Sequence, residues 1–148
     1  MAEKMMKVRE LVISYGKDYL EVEEKTMRSP LDVANAFFPI CDLLPDEHGF
    51  VLMLNAKNKM LGYEKFSHGN LTSALVHSRN VFRAAIMKNA AAIIFIHNHP
   101  SGNPDPSTDD MDLSNRLVQA GDILGIRVLD SIIIGQGCYV SLKQRGII

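Results

Sequence analysis

Ala91-Ala92-Ile93-Ile94-Phe95-Ile96 runs without a break into His97-Asn98-His99-Pro100, and the chain continues Ser101-Gly102-Asn103-Pro104-Asp105-Pro106-Ser107-Thr108-Asp109-Asp110. An apolar run of this kind reads as a strand buried on both faces, the central strand of an α/β sheet. Ligand-binding groups in such sheets gather just past the carboxyl ends of the strands, which is where these histidines stand. Side chains alternate along an extended segment, so His97 and His99 point to the same side and can converge on one ion.

The third ligand candidate belongs to a different element. Pro104, Pro106, Ser107 and Thr108 mark the end of a loop and the start of a helix, with Ser107 at the cap. The spacing predicts a helix to about Leu124, with Leu113, Leu117, Gly121 and Leu124 as its apolar stripe. One turn back from Leu113, Asp110 lies near the edge that faces the core, where an acid needs a partner. Two imidazoles and a carboxylate suit zinc, and three protein ligands leave the fourth tetrahedral position open, as catalytic sites do. Ordinary readings stand beside this one. An isolated HxH is weak evidence, and Ser107-Thr108-Asp109-Asp110 also fits a capping box, in which Asp110 only accepts from the cap residue's backbone N–H.

The pattern from His97 to Asp110, HxHP, six residues, Ser, two residues, Asp, resembles the metal-binding motif of the JAB/JAMM (MPN-type) metallopeptidases. The longer string HNHPSGNPDPS, with Asn89-Ala90-Ala91-Ala92 before it and Leu129-Asp130 and Ile132-Ile133-Ile134-Gly135 after it, is similar to the RadC-like branch. The resemblance covers roughly residues 29–148. It implies a JAB/MPN-like α/β fold, a mixed β-sheet flanked by α-helices in a single domain, with zinc held by His97, His99 and Asp110. It also implies a glutamate from an earlier strand as general base and a motif serine, here Ser107, that helps hold the developing oxyanion.

Glu47, which opens the strand-like Gly49-Phe50-Val51-Leu52-Met53-Leu54-Asn55, is the first choice for the glutamate, and Glu64 on the next strand is the second. Glu47 also fits a solvated loop acid after Pro45-Asp46. A carboxylate is useful at a zinc centre because the proton taken from water must be carried to the leaving group. The chain departs from the RadC-like pattern at two places. Asp130 is followed by Ser131 where the family has Asp-His, and His77 is followed by Ser78-Arg79-Asn80 where it has His-Pro-Arg-Glu. No metal ligand of the motif is affected, but the ligands' supports and the substrate contacts can be.

Composition agrees with one folded domain: 148 residues, 47% hydrophobic, are enough for a core without disulfides. Cys41 and Cys138 stand far apart and outside any CxxC, and read as buried thiols in a reduced, cytoplasmic compartment. No apolar run reaches membrane-spanning length, and Met1 to Glu10 is too charged for a signal peptide. Residues 1–28 read as an N-terminal extension, in which Leu11-Val12-Ile13 is a candidate edge strand able to pair with a second copy, followed by the charged run Glu21-Val22-Glu23-Glu24-Lys25. Full-length RadC-like proteins carry a helix-hairpin-helix region before this domain, and the chain is read as a short form without it.

Ser29-Pro30 predicts a helix start, with Val33, Phe37 and Ile40 on its buried face. Phe50–Leu54 and Met60–Phe66 predict a hairpin joined by Asn55-Ala56-Lys57-Asn58-Lys59. From Ser78 as cap, Val81, Phe82, Ala85 and Ile86 recur at helical spacing, with His77 and Arg79 at the helix mouth as either substrate contacts or plain capping residues. Ile126–Ile134 and Tyr139–Leu142 predict the last strands around Gly135-Gln136-Gly137. His48 and His68 read as loop residues without a role.

These readings lead to a zinc-dependent hydrolase acting on an amide, a peptide or isopeptide bond, of a peptide or protein substrate that the sequence does not specify. The alternative is a non-catalytic or DNA-repair-associated interaction module that keeps the metal site. Net charge is −1 and no basic stripe interleaves with aromatics, so a DNA-binding surface has little support. A zinc deaminase requires an HxE with a PCxxC, which the chain lacks.

Overall fold

In the computed structural model the apolar run is the middle strand of a five-stranded sheet. The structure describes residues 9, 10, 12, 14, 16, 17, 27–68, 71 and 76–148. The elements, in chain order, are α1 (Pro30–Cys41), β1 (His48–Leu54), β2 (Met60–His68), α2 (Ser78–Met87), β3 (Ala92–Asn98), α3 (Thr108–Leu124), β4 (Arg127–Ile134) and β5 (Tyr139–Ser141). The sheet order is β2-β1-β3-β4-β5. Among the described strands only β3 and β4 run parallel; β1 is antiparallel to both β2 and β3, and β5 to β4. A parallel pair needs a crossover, and α3 supplies it. The result is the expected mixed sheet with helices on its faces, in one α/β domain.

Alternation along β3 sorts the core into two layers. Ala92, Ile94 and Ile96 pack with Val33, Ala34 and Phe37 of α1 on one face, and Phe37 meets Phe50 and Tyr63 edge-on. Ile93 and Phe95 pack with Val81 and Phe82 of α2 and Leu113 and Leu117 of α3 on the other. Burial on both sides is why this strand is a continuous apolar run rather than an alternating one.

Local signals explain the ends of the elements. Ser29 caps α1 in a full capping box with Asp32, and Pro30 takes the first turn, where its missing N–H costs nothing. The β1–β2 turn is tied by Asn55, whose Oδ1 accepts from the amides of Lys57 and Lys59. α3 ends at Gly125, whose φ of 71° places it in the left-handed region. At Gly135 a Cβ would lie 2.4 Å from the Gly102 carbonyl and 2.9 Å from Pro104 Cδ, so only glycine lets the end of β4 approach the loop that leads to α3. Gly135→Ala is expected to cost about 1–3 kcal/mol, as overpacking against backbone does, read as a lower urea midpoint with an unchanged slope.

Several sequence expectations need correction. α2 is capped by His77, not Ser78, and that cap makes no side-chain bond. Ile86 and Leu124 are exposed: α2 meets the core through Val81, Phe82, Ala84 and Ala85, and α3 through Leu113, Ser114, Leu117 and Gly121. Cys41 is buried, and burial pushes its thiol up to about 12, with Asp42 adding to the shift. Cys138 is exposed instead, because it follows the tight turn at Gly137 outside the core. His48 and His68 are not loop residues; they are the first residue of β1 and the last of β2, paired with each other. Leu11 and Ile13 of the edge-strand candidate, and the run 21–25, lie outside the described residues, while Val12 is exposed. No helix among the described residues is long and apolar enough to cross a membrane.

Asp130 is a buried acid on the α1 face. Its carboxylate accepts from the amides of Ser131 and Lys143 and from Ser141 Oγ at 2.7, 3.1 and 2.5 Å. Burial raises its pKa, and these three donors offset only part of the rise. The folded protein therefore holds a proton that the unfolded chain has already released above about pH 4. The contribution to stability is present below that value and falls as pH rises through the folded pKa. Asp130→Asn should remove this slope, so that the variant gains on the parent in urea unfolding as pH is raised from 4 toward neutrality.

Candidate metal centre

His97 continues the series Ile93, Phe95 on the α3 side of β3, its ring 5.6 Å from that of Phe95. His99 follows one step past the strand, where its amide still donates to the Ile134 carbonyl at 2.8 Å. That bond keeps the backbone extended long enough to turn the second imidazole to the same side. The chain then turns at Pro100–Gly102 and enters α3, so the first turn of that helix meets the carboxyl end of β3.

Ser107 caps α3, and its Oγ accepts from the Asp110 amide at 3.1 Å. Asp110 Oδ2 in return accepts from the Ser107 amide at 2.8 Å. The capping box is realised, and the same carboxylate that closes it faces the two histidines. Asp110 Oδ1 lies 3.1 Å from His97 Nε2, Asp110 Oδ2 lies 3.2 Å from His99 Nε2, and the two imidazole Nε2 atoms are 3.2 Å apart. Below the helix turn, Ser114 Oγ lies 2.7 Å from the Asp110 carbonyl oxygen and 2.8 Å from Ser131 Oγ. Through Ser114, Ser131 is thus tied to the turn that carries Asp110.

These distances test whether a cation fits. Ligand atoms about 2.0 Å from a tetrahedral centre lie about 3.3 Å from one another; the two imidazole Nε2 atoms are close to that separation, and each lies 3.1–3.2 Å from a different oxygen of the Asp110 carboxylate. The proton inventory agrees. His99 Nδ1 donates to the Asn103 carbonyl at 2.9 Å, which leaves the Nε2 lone pair facing the cluster, and second-sphere carbonyls orient metal-ligating histidines in this way. His97 Nδ1 is buried and has no hydrogen-bond partner among the described residues, so the ordering of that ring falls to its Nε2 side. A cation held by His97, His99 and Asp110 would satisfy the lone pairs that these side chains turn toward one another. Without one, burial raises the Asp110 pKa but the His97 and His99 imidazoles win and hold the carboxyl well below the usual range. Asp110 in turn pulls the His99 imidazole up, against the burial that would lower it.

Glu47 is the fourth member of the cluster, and its ligand atom lies within 4.8 Å of the other three. Its Oε1 is 4.0 Å from His97 Nε2, farther than the 3.1–3.2 Å that separate the two imidazoles from each other and from the Asp110 carboxylate. Glu64 is elsewhere: its Oε1 pairs with Arg83 of α2. A cleft of about 300 Å³ opens over the cluster, lined by Glu47, Leu71, His99, Ser107 and Asp110 among others. Ser107 is exposed to it, and since its Oγ accepts the Asp110 amide, its O–H is left to donate into the cleft. His77 and Arg79 are exposed at the start of α2 and do not line this cleft. Sequence reasoning missed Asn98, whose side-chain Oδ1 accepts from the His48 backbone amide fifty residues away and so leaves no local pattern.

A family model for the RadC-like JAB domain matches residues 27–147. A UPF0758 protein of Caldanaerobacter subterraneus subsp. tengcongensis is 49% identical over 124 residues, 84% of this chain and 53% of that protein. One from Desulfitobacterium hafniense is 48% identical over 122 residues, 82% of this chain and 54% of its own. In Clostridium novyi a further UPF0758 protein is 43% identical over 147 residues, 99% of this chain and 64% of its own. The chain spans about half the length of the first two of these relatives.

Proposed function

The chain belongs to the RadC-like JAB domain family, and from that membership and the cluster geometry we propose that it is a zinc-dependent hydrolase that cleaves an amide, a peptide or isopeptide bond. The observation that carries the reading is that two imidazole Nε2 atoms 3.2 Å apart each lie 3.1–3.2 Å from one oxygen of the Asp110 carboxylate, with the Glu47 carboxylate set back at 4.0 Å from His97. Three close donors are ligands, and a carboxylate just outside them is a base. Imidazole and carboxylate donors in a tetrahedral arrangement favour zinc over magnesium or calcium, which take all-oxygen shells of higher coordination number.

A zinc ion here supplies Lewis acidity, polarising a carbonyl and lowering the pKa of a water. Everything else falls to the chain. His97 and His99 act as neutral imidazoles, His99 fixed in its tautomer by the Asn103 carbonyl. Glu47 accepts a proton from the water whose oxygen bonds to the carbonyl carbon. When the C–N bond breaks, Glu47 returns that proton to the leaving nitrogen, so one carboxylate serves as base and then as acid. The Ser107 hydroxyl donates to the carbonyl oxygen as negative charge builds on it.

The test is a screen of peptide and isopeptide substrates with zinc-loaded protein, with chelated protein and Glu47→Gln as controls. Cleavage that disappears on chelation and returns with zinc supports the reading. Cleavage that persists in fully chelated protein contradicts it.

A further inference from the structure

Glu47 can act as a base only if its backbone is held so that a long side chain reaches the cluster and goes no further. The β1–β3 ladder pairs Leu54 with Ala92 and runs to Gly49 opposite His97. One step beyond, His48 stands where it would face Asn98, and there a side chain continues the ladder: Asn98 Oδ1 accepts from the His48 amide at 2.7 Å. Asn98 Nδ2 donates to the Asp46 carbonyl at 3.0 Å. His48 Nδ1 lies 2.8 Å from the same carbonyl, which can only accept, so this nitrogen carries the proton and donates. The main-chain groups on both sides of Glu47 are therefore gripped by one amide. Its orientation is forced, since an N–H needs the oxygen and a carbonyl needs the NH₂.

The mounting of that amide is as telling as its bonds. Asn98 is 3% exposed and its backbone pairs with Ile134 at the centre of the sheet. It is the residue between the two histidines, and alternation turns it to the opposite face. One three-residue stretch thus presents two ligand candidates on one side and fixes the loop of the base on the other. A small rotation of the Asp46–His48 segment would swing Oε1 either into the coordination shell or out of reach.

We propose that Asn98 is the positioning residue for Glu47, clamping the segment on either side of the base so that its carboxylate stands one small molecule away from the metal ligands. The inference rests on the reading of Glu47 as the base. It is tested with the cobalt(II)-loaded protein, whose visible spectrum reports both the ligand set and the pH at which the site ionises. A negative charge within hydrogen-bonding range opposes loss of a further proton, so Glu47→Gln should lower the spectral pH midpoint by about one unit. Asn98→Ala should lower it in the same direction, and the double variant should move no further than Glu47→Gln alone. Cobalt affinity should hold in each, whereas loss of a ligand's own support typically costs about 10–100-fold. Asn98→Ser is the companion variant: it keeps a hydroxyl near the His48 amide but cannot span to the Asp46 carbonyl, and should give the same shift.

A midpoint that moves in Glu47→Gln and stays put in both Asn98 variants overturns the clamp and leaves the base in place. Additive shifts in the double variant also overturn it, because Asn98 would then act through another group. A midpoint unmoved by Glu47→Gln overturns the reading of the base itself.

Discussion

Asp110→Ala is expected to abolish stoichiometric zinc binding and to loosen the start of α3 in the same stroke. Zinc sites with four protein ligands bind with about 10–16 kcal/mol, so one ligand's share is about 3 kcal/mol, or at least a hundredfold in affinity. The same carboxylate accepts from the Ser107 amide, and losing that half of the capping box should cost about 1 kcal/mol, the order of a lost helix cap. Asp110→Asn separates the two effects. The amide oxygen can still accept from Ser107, so thermal stability should be kept, while the uncharged ligand binds zinc far more weakly. Isothermal titration with zinc and thermal unfolding of the metal-free proteins check both halves. Parent-like zinc affinity in Asp110→Ala would remove Asp110 from the ligand set.

Glu47→Gln should leave zinc content untouched and lower hydrolysis by about 10²–10⁴-fold, the usual contribution of a positioned acid–base group. Glutamine matches glutamate in shape but cannot take up the proton. The 4.0 Å separation from His97 Nε2 is the reason the metal should stay, because a group outside the shell can be neutralised without opening it. Metal analysis beside a rate measurement on the substrate found by screening decides the matter. Full activity in the variant would sink the role of Glu47, and loss of zinc would make it a ligand instead.

What could be read from the sequence follows from how local each signal is. The run Ala91–Ile96 with HxH behind it defines a central strand and two convergent imidazoles within a single stretch, and Ser107 with Asp110 defines the start of α3 within four residues. These signals need no knowledge of distant partners. The choice between Glu47 and Glu64 does, since it depends on which edge of the β1–β2 hairpin faces β3 and on Arg83 from α2 engaging Glu64. The clamp from Asn98 to Asp46 and His48 is likewise a matter of register between strands. At the ends of helices one position's error is intrinsic, as at His77 and Ser78, where neither residue makes a side-chain cap bond that a pattern could reveal.

Zinc-edge X-ray absorption on protein loaded with one equivalent of zinc tests the central claim most directly. The account predicts a four-coordinate ion with light-atom ligands at about 2.0 Å, two of them imidazoles by their multiple scattering, and the same spectrum from zinc-loaded Glu47→Gln. A spectrum without imidazole scattering, or one that loses a ligand in Glu47→Gln, would contradict it.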